Sequence, residues 1–218
     1  MMITEFLAVH WLDIVTTVLG LAYILLEYRA SVWMWLVGFL MQSLGIILYY
    51  QKGLYADCGM EFYYLAMTMY GWWRWVKAPA KTSSNSPCLE GEQSSSPKQG
   101  RQGGVSHFPR KLIVYWLFFI VLIRAVIYWL LVTFTNSSVP LADSFTTALS
   151  IVGIWALAHK YLEQWFIWIA VDVVTSVLYF YKDIPFKASL YALYVVIAIM
   201  GYFKWRQLMK SEQSVLQH

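Results

Sequence analysis

Trp165, Trp168, Asp172 and Thr175 fall at i, i+3, i+7 and i+10, the spacing that sets four side chains on one helix face. A carboxylate beside two indoles makes a pocket for a flat cationic ring, held by charge pairing and by cation–π attraction. The surrounding run is apolar, and an acid inside a membrane span costs about 2.5–3.5 kcal/mol, so it normally faces a cavity or a partner. Interfacial tryptophans around a packed, hydrogen-bonded Asp would give the same pattern. Asp57, Glu61, Tyr64 and Thr68 make a second such face. Glu61 is either an intramembrane acid or a helix-end acid reaching headgroups, since Lys52 is only about two turns away. Gln42 can donate to a polar ligand group or clamp two helices together. Asp13 and Asp143 each precede a Thr-Thr pair at i+3 and i+4, the position of a helix cap or first-turn charge. Tyr191, Tyr194 and the Trp72–Trp75 cluster fit either a pathway lining or the aromatic belts of a membrane protein.

The elements that must position these residues are membrane helices. Of 218 residues, 60% are hydrophobic and only 13% charged, and the mean hydropathy is +0.54. A soluble domain would carry about 25% charge, and could not hide this much apolar surface from water. Seven runs are long enough to span hydrocarbon: Trp11–Tyr28, Val32–Tyr50, Tyr55–Val76, Leu112–Thr135, Asp143–Ala158, Leu162–Tyr181 and Pro185–Trp205. The expected fold is therefore an all-α, seven-span polytopic membrane protein. The first run has no basic flank or small-residue cleavage site and reads as a retained span. Residues 77–111 are rich in Ser, Gly, Lys, Gln and Pro, and are expected to form a polar, disordered cytoplasmic linker. Lys and Arg concentrate on one side: Arg29, Arg74, Lys77, the linker, Lys160, Lys204, Arg206 and Lys210, against Lys52, Lys182 and Lys187 opposite. That bias puts the linker and a tail of residues 206–218 in the cytoplasm, and the N-terminus outside.

Sliding the chain against itself by 130 residues exposes an internal repeat. Asp13-Ile-Val-Thr-Thr-Val-Leu19 pairs with Asp143-Ser-Phe-Thr-Thr-Ala-Leu149, Trp35 with Trp165, and Gln42 with Asp172. The register continues through Tyr64 and Tyr194, Gly71 and Gly201, to Trp75 and Trp205. Three helices are an odd number, so directly joined copies would be inverted. The unmatched span at residues 112–135 restores the orientation. The expected layout is 3+1+3, with parallel three-helix repeats at 11–76 and 143–205, as in SWEET-like transporters, where sites lie between the repeats near mid-membrane.

Other chemistry is excluded or unsupported. The basic residues lie between apolar runs rather than in a stripe, so no nucleic-acid partner is expected. Cys58 and Cys88 read as free thiols. The four histidines lack metal-ligand spacing, and neither a P-loop nor a nucleophile elbow occurs. No enzyme activity, cofactor or metal is expected.

Several motifs are similar to the PnuC family of vitamin transporters: Gly53-Leu-Tyr-Ala-Asp57, Tyr70-Gly-Trp-Trp-Arg-Trp75, Thr146-Thr-Ala-Leu-Ser150, Lys160-Tyr-Leu-Glu-Gln-Trp165, Trp168-Ile-Ala-Val-Asp172, Leu190-Tyr191-Ala192 and Gly201-Tyr-Phe-Lys-Trp205. The resemblance implies a SWEET-like fold and uptake of nicotinamide riboside across the bacterial inner membrane by facilitated diffusion. It also implies trapping by a cytosolic kinase and a homo-oligomer, commonly a trimer. Two positions depart from nicotinamide riboside carriers, which often have Gln where this chain has Glu61, and Gln where it has Ile154. Relatives in the family carry thiamine or riboflavin. An acid at 61 suits the cations nicotinamide riboside and thiamine, in that order, before neutral riboflavin. The ring is expected to stack on Trp165 or Trp168, with Asp172 or Glu61 offsetting its charge and Gln42 or Thr175 binding hydroxyls. A non-transporting membrane binding subunit would share this pocket, and counterflow in liposomes separates the two. A sugar carrier of the same fold would need no carboxylate pair.

Overall fold

Long apolar runs bounded by turn-forming residues become helices here, because a backbone in lipid must satisfy its own hydrogen bonds. The computed structural model describes residues 15, 17–51, 55–77, 104–109, 111, 113–134, 139–181 and 185–215. Its helices are α1 (Thr17–Tyr28), α2 (Trp33–Gln51), α3 (Tyr55–Lys77), α4 (Ile113–Phe134), α5 (Pro140–Ala158), α6 (Gln164–Tyr181) and α7 (Pro185–Val215). Proline opens α5 and α7, where the missing N–H costs nothing. Five of these helices (α2, α4, α5, α6 and α7) are long and apolar enough to cross a membrane. Extended pairing among the described residues is limited to one bridge, between Ser106 and Tyr161.

α2 packs on α3, α6 on α7, and α5 on α4 and α6, while α3 crosses to α5. α4 contributes no buried side chain and presents its apolar surface outward. An apolar groove of about 600 Å³ runs between α3, α4 and α5, bounded by Tyr63, Trp116, Ile151 and Trp155. No carboxylate lines it.

Four tryptophans build the core at the end of the bundle where α1, α3 and α5 terminate. The Trp35 ring occupies the space a side chain on Gly71 would need, and Trp165 does the same at Gly201. Trp35 meets Trp75 edge-on with centroids 5.6 Å apart, and Trp165 meets Trp205 edge-on, also at 5.6 Å. Only glycine allows the indole this close to the helix backbone. The two tryptophans that end the chain motifs also cap helices. Trp75 Nε1 donates to the Ala158 carbonyl at the end of α5 (3.2 Å), and Trp205 Nε1 donates to the Glu27 carbonyl at the end of α1 (3.0 Å).

The same turn closes α1 and α5. Ala30 and Lys160 both adopt left-handed backbone, with φ of 50° and 54°. Ser31 N–H then reaches back to Leu26 O (2.9 Å) and Tyr161 N–H to Ala156 O (3.0 Å), which is the Schellman pattern of a helix C-terminus. Each side chain in that conformation costs about 1–2 kcal/mol. Lys160 holds it with its ammonium 4.3 Å from the Trp75 ring centroid.

Two stretches differ from the sequence expectation. Residues 104–109, read as part of the disordered linker, are seated on the α5–α6 turn: Ser106 N–H donates to Lys160 O and Ser106 O accepts from Leu162 N–H. Glu163 accepts from the Phe108 N–H at 2.8 Å, and its other oxygen meets His107 Nδ1 at 2.8 Å. The anchors are apolar: Val105 joins the core, and Phe108 packs edge-on against Trp116, Trp155 and Tyr161. The second difference is at the C-terminus, where α7 continues past Trp205 to Val215 because Leu208 and Met209 pack on the same core. Asp13, Cys88, and the side chain of Asp57 lie outside the described residues.

Candidate substrate site

α6 is the element that organises the polar interior. Gln164, Trp168 and Asp172 stand at i, i+4 and i+8, and so form one face about 12 Å long. Gln164 and Asp172 are buried, and Trp168 is half-buried. Gly153 of α5 makes room for the Trp168 indole, since a Cβ there would lie 3.3 Å from the ring. Both Gln164 amide atoms and the Trp168 Nε1 lack a hydrogen-bond partner among the described residues. Trp165 points elsewhere: it is fully buried against Gly201 and Trp205 and holds α6 to α7. Of the two indoles expected at the pocket, Trp168 shares the polar face and Trp165 belongs to the core.

Asp172 acts electrostatically on Tyr191 and Tyr194 of α7 and on Glu27 of α1. Tyr191 stacks on Tyr179 at 5.4 Å and meets Tyr194 edge-on at 5.6 Å. The Tyr194 hydroxyl lies against Gly20 of α1, where a side chain would displace it. These contacts draw α1, α6 and α7 together around the Asp172 carboxylate. Thr175 is one turn further along α6 and half-buried.

Glu61 lies on α3. Its carboxyl packs over Gly45 of α2, with a Cβ at Gly45 falling 2.8 Å from Cδ, and its charge acts on Tyr64. Tyr64 also hydrogen-bonds Ser150 of α5 and packs edge-on against Tyr63. Gln42 is half-buried on α2. Asp143 sits in the first turn of α5, the position expected of a first-turn charge. Among the described residues no group of three or more metal-ligating side chains occurs.

Two buried residues escaped the sequence reading of the site. Glu27 looks like a polar break between spans, yet it is only 3% exposed, and its Oε1 has no partner. The available signal was Gly20, Tyr23 and Glu27 at i, i+3 and i+7, one face of α1. Gln164 was visible only as part of the motif preceding Trp165; its spacing to Trp168 and Asp172 is the sign that it belongs to their face.

The nicotinamide mononucleotide transporter family matches residues 10–207. The riboflavin/roseoflavin transporter RibM of Streptomyces davaonensis is 24% identical, covering 89% of this chain and 84% of that one. The nicotinamide riboside transporter PnuC of Escherichia coli is also 24% identical, with the same coverage of 89% and 84%. A crystal structure of the vitamin B3 transporter PnuC superposes with a TM-score of 0.71 at 22% identity, covering 96% of this chain and 86% of the other. The apolar helices and the family match over nearly the whole length agree: this chain is a multi-pass membrane protein belonging to the nicotinamide mononucleotide transporter family.

Proposed function

We propose that the protein takes up a cationic aromatic vitamin, nicotinamide riboside in the first place, by facilitated diffusion across the bacterial inner membrane. The observation that carries this reading is Asp172, a buried carboxylate on the same helix face as Trp168 whose charge acts on Tyr191 and Tyr194. An acid buried among aromatic rings in a span favours a cation, which recovers the electrostatic energy that dehydration of the carboxylate takes away. The ring stacks on Trp168, and Asp172 or Glu61 offsets its charge. Gln42 or Thr175 takes the hydroxyls. Thiamine is the second reading, because it too is a cation. Riboflavin ranks third despite the RibM relative, because a neutral ring gains nothing from the two acids.

Transport in this proposal uses two parallel three-helix units joined by α4. One unit moves against the other and pivots at the tryptophan end, where Trp75 reaches across to α5 and Trp205 across to α1. A cytosolic kinase traps the product, the N-terminus lies outside, and copies associate as trimers. The test is a tryptophan-fluorescence titration of purified protein with nicotinamide riboside, thiamine and riboflavin, followed by counterflow in liposomes. Saturable binding of nicotinamide riboside with counterflow is expected. Preference for thiamine would make Glu61 the mark of a changed substrate. Binding without counterflow would leave a receptor, and no binding of the three would overturn the vitamin reading.

A further inference from the structure

We infer that Glu27 is a specificity-determining residue of the transport site, and that its carboxylate with the Gln164 amide distinguishes a positively charged ring from a neutral one of the same shape. The inference rests on the aromatic-vitamin reading above and adds a residue to it. Glu27 is 3% exposed and Gln164 is fully buried. The Glu27 carboxylate and the Gln164 amide face each other closely enough to interact, yet Glu27 Oε1 and both polar atoms of that amide complete no hydrogen bond of good geometry among the described residues. Buried polar groups held only by a poorly aligned contact with each other are unusual, because their remaining hydrogen-bonding capacity is dehydrated without full return. A ligand that supplies positive charge and hydrogen-bonding groups satisfies them together.

The placement fits that role. Gln164 begins the α6 face that carries Trp168 and Asp172, and Glu27 interacts with Gln164 at the start of that face and with Asp172 further along it. The two carboxylates are close enough for Asp172 to act on Glu27 electrostatically. Two like charges in a low-dielectric site repel, and a cation held between them relieves the repulsion. The backbone around Glu27 is fixed: Trp205 Nε1 donates to its carbonyl, and the Ala30 turn ends the helix three residues on. A side chain on so rigid a support discriminates by charge rather than by moving.

The test compares nicotinamide riboside with its reduced 1,4-dihydro form, which has the same groups and no ring charge. Wild-type protein should prefer the cation at least tenfold. Glu27→Gln should lose most of that preference by weakening the cation about tenfold while leaving the neutral form little changed, and Glu27→Asp should restore part of it. Equal weakening of both ligands would mean a structural role, and an unchanged preference would mean that Glu27 does not read charge; either overturns the inference. Wild-type protein that binds neither ligand would overturn the nicotinamide riboside reading itself. Carbodiimide labelling of wild-type protein, followed by peptide mass spectrometry, needs no variant to fold. The cation should protect Glu27 and the neutral form should not, and labelling unaffected by the cation would count against the inference.

Discussion

Gly201→Ala tests whether the tryptophan end is as closely packed as its geometry implies. The added methyl would fall on the Trp165 ring, since the Cζ3 atom is 2.7 Å from the ideal Cβ position and two other ring carbons are closer still. Trp165 is fully buried, and its other neighbour, Trp205, meets it edge-on at 5.6 Å, so the ring has no free direction. Overpacking of this kind costs about 1–3 kcal/mol. Displacing Trp205 also weakens its 3.0 Å bond to the Glu27 carbonyl, worth about 1 kcal/mol. Alanine returns about 1 kcal/mol of helix propensity. The net loss is about 1–3 kcal/mol, a fall in thermal midpoint of about 2–12 °C for a chain this long. Gly59→Ala is the control: a Cβ there meets nothing within 4 Å, so only the propensity gain remains. Thermal unfolding of detergent-purified protein, followed by fluorescence-detected size exclusion, should separate the two in opposite directions. A Gly201→Ala midpoint equal to or above that of wild type would refute the packing argument, and Gly71→Ala against Trp35 should repeat the result.

Three further outcomes follow from the same end of the bundle. Trp75→Phe and Trp205→Phe each remove one indole donor from a helix-end carbonyl and should destabilise by about 1 kcal/mol apiece, with similar midpoints in thermal unfolding; a silent variant would show that the cap contributes nothing. Glu163→Ala removes the two side-chain bonds to the 104–109 segment, so the Ser106 and Leu162 amides should exchange hydrogen faster, and unchanged protection would mean that the backbone pairing together with Val105 and Phe108 suffices. His159, in the turn after α5, is pushed below its usual 6.5 chiefly by burial, opposed by its bond to the Trp155 carbonyl and helped by a smaller effect of the Arg74 charge. The unfolded chain therefore protonates first, and stability present above the unfolded value is lost as pH falls through the lower folded one. His159→Gln should flatten the part of the midpoint-against-pH curve that lies just below the usual imidazole range, and an identical slope in both proteins would refute it.

Hydropathy is a strong signal because lipid permits so few backbone solutions: the second to sixth expected runs coincide closely with helices, and the seventh begins where expected but continues to Val215. Boundaries were legible where proline or a polar pair stands. The docked 104–109 segment was hidden because Ser, Gly and Lys dominate its neighbourhood, and composition averages away Val105 and Phe108. Trp165 and Trp168 could not be told apart by spacing, since indoles three residues apart straddle the edge of a face. Their glycine partners distinguish them: Gly201 belongs to the helix behind and Gly153 to the helix in front. Glu27 was missed for a related reason. An acid near the end of an apolar run ordinarily reaches headgroups, and only the tertiary arrangement buries it.

The contacts that recur at an offset of 130 residues differ in kind from those that do not. Trp35 on Gly71 matches Trp165 on Gly201, the Ala30 turn matches the Lys160 turn, and Tyr64 against Ser150 matches Tyr194 against Gly20. All of these are structural: they set helix spacing, end helices, or join one half to the other. The charged interior is single-copy, since Glu27 corresponds to Leu157, Asp172 to Gln42, Glu61 to Tyr191, and Gln164 to Met34. One contact is reversed between the halves. Tyr23 of α1 fills the space at Gly38 of α2, whereas at the equivalent positions Gly153 of α5 makes room for Trp168 of α6. Exchanging the large and small partners keeps the helix spacing but moves the ring from one helix to its neighbour. A small vitamin of the kind proposed has no two-fold symmetry, and the charged residues proposed to recognise it are the ones that do not recur at this offset. Substitutions at the recurring positions should therefore act first on stability. Those at Glu27, Trp168, Asp172 and Glu61 should act first on affinity, and the two effects can be measured separately in the same preparations.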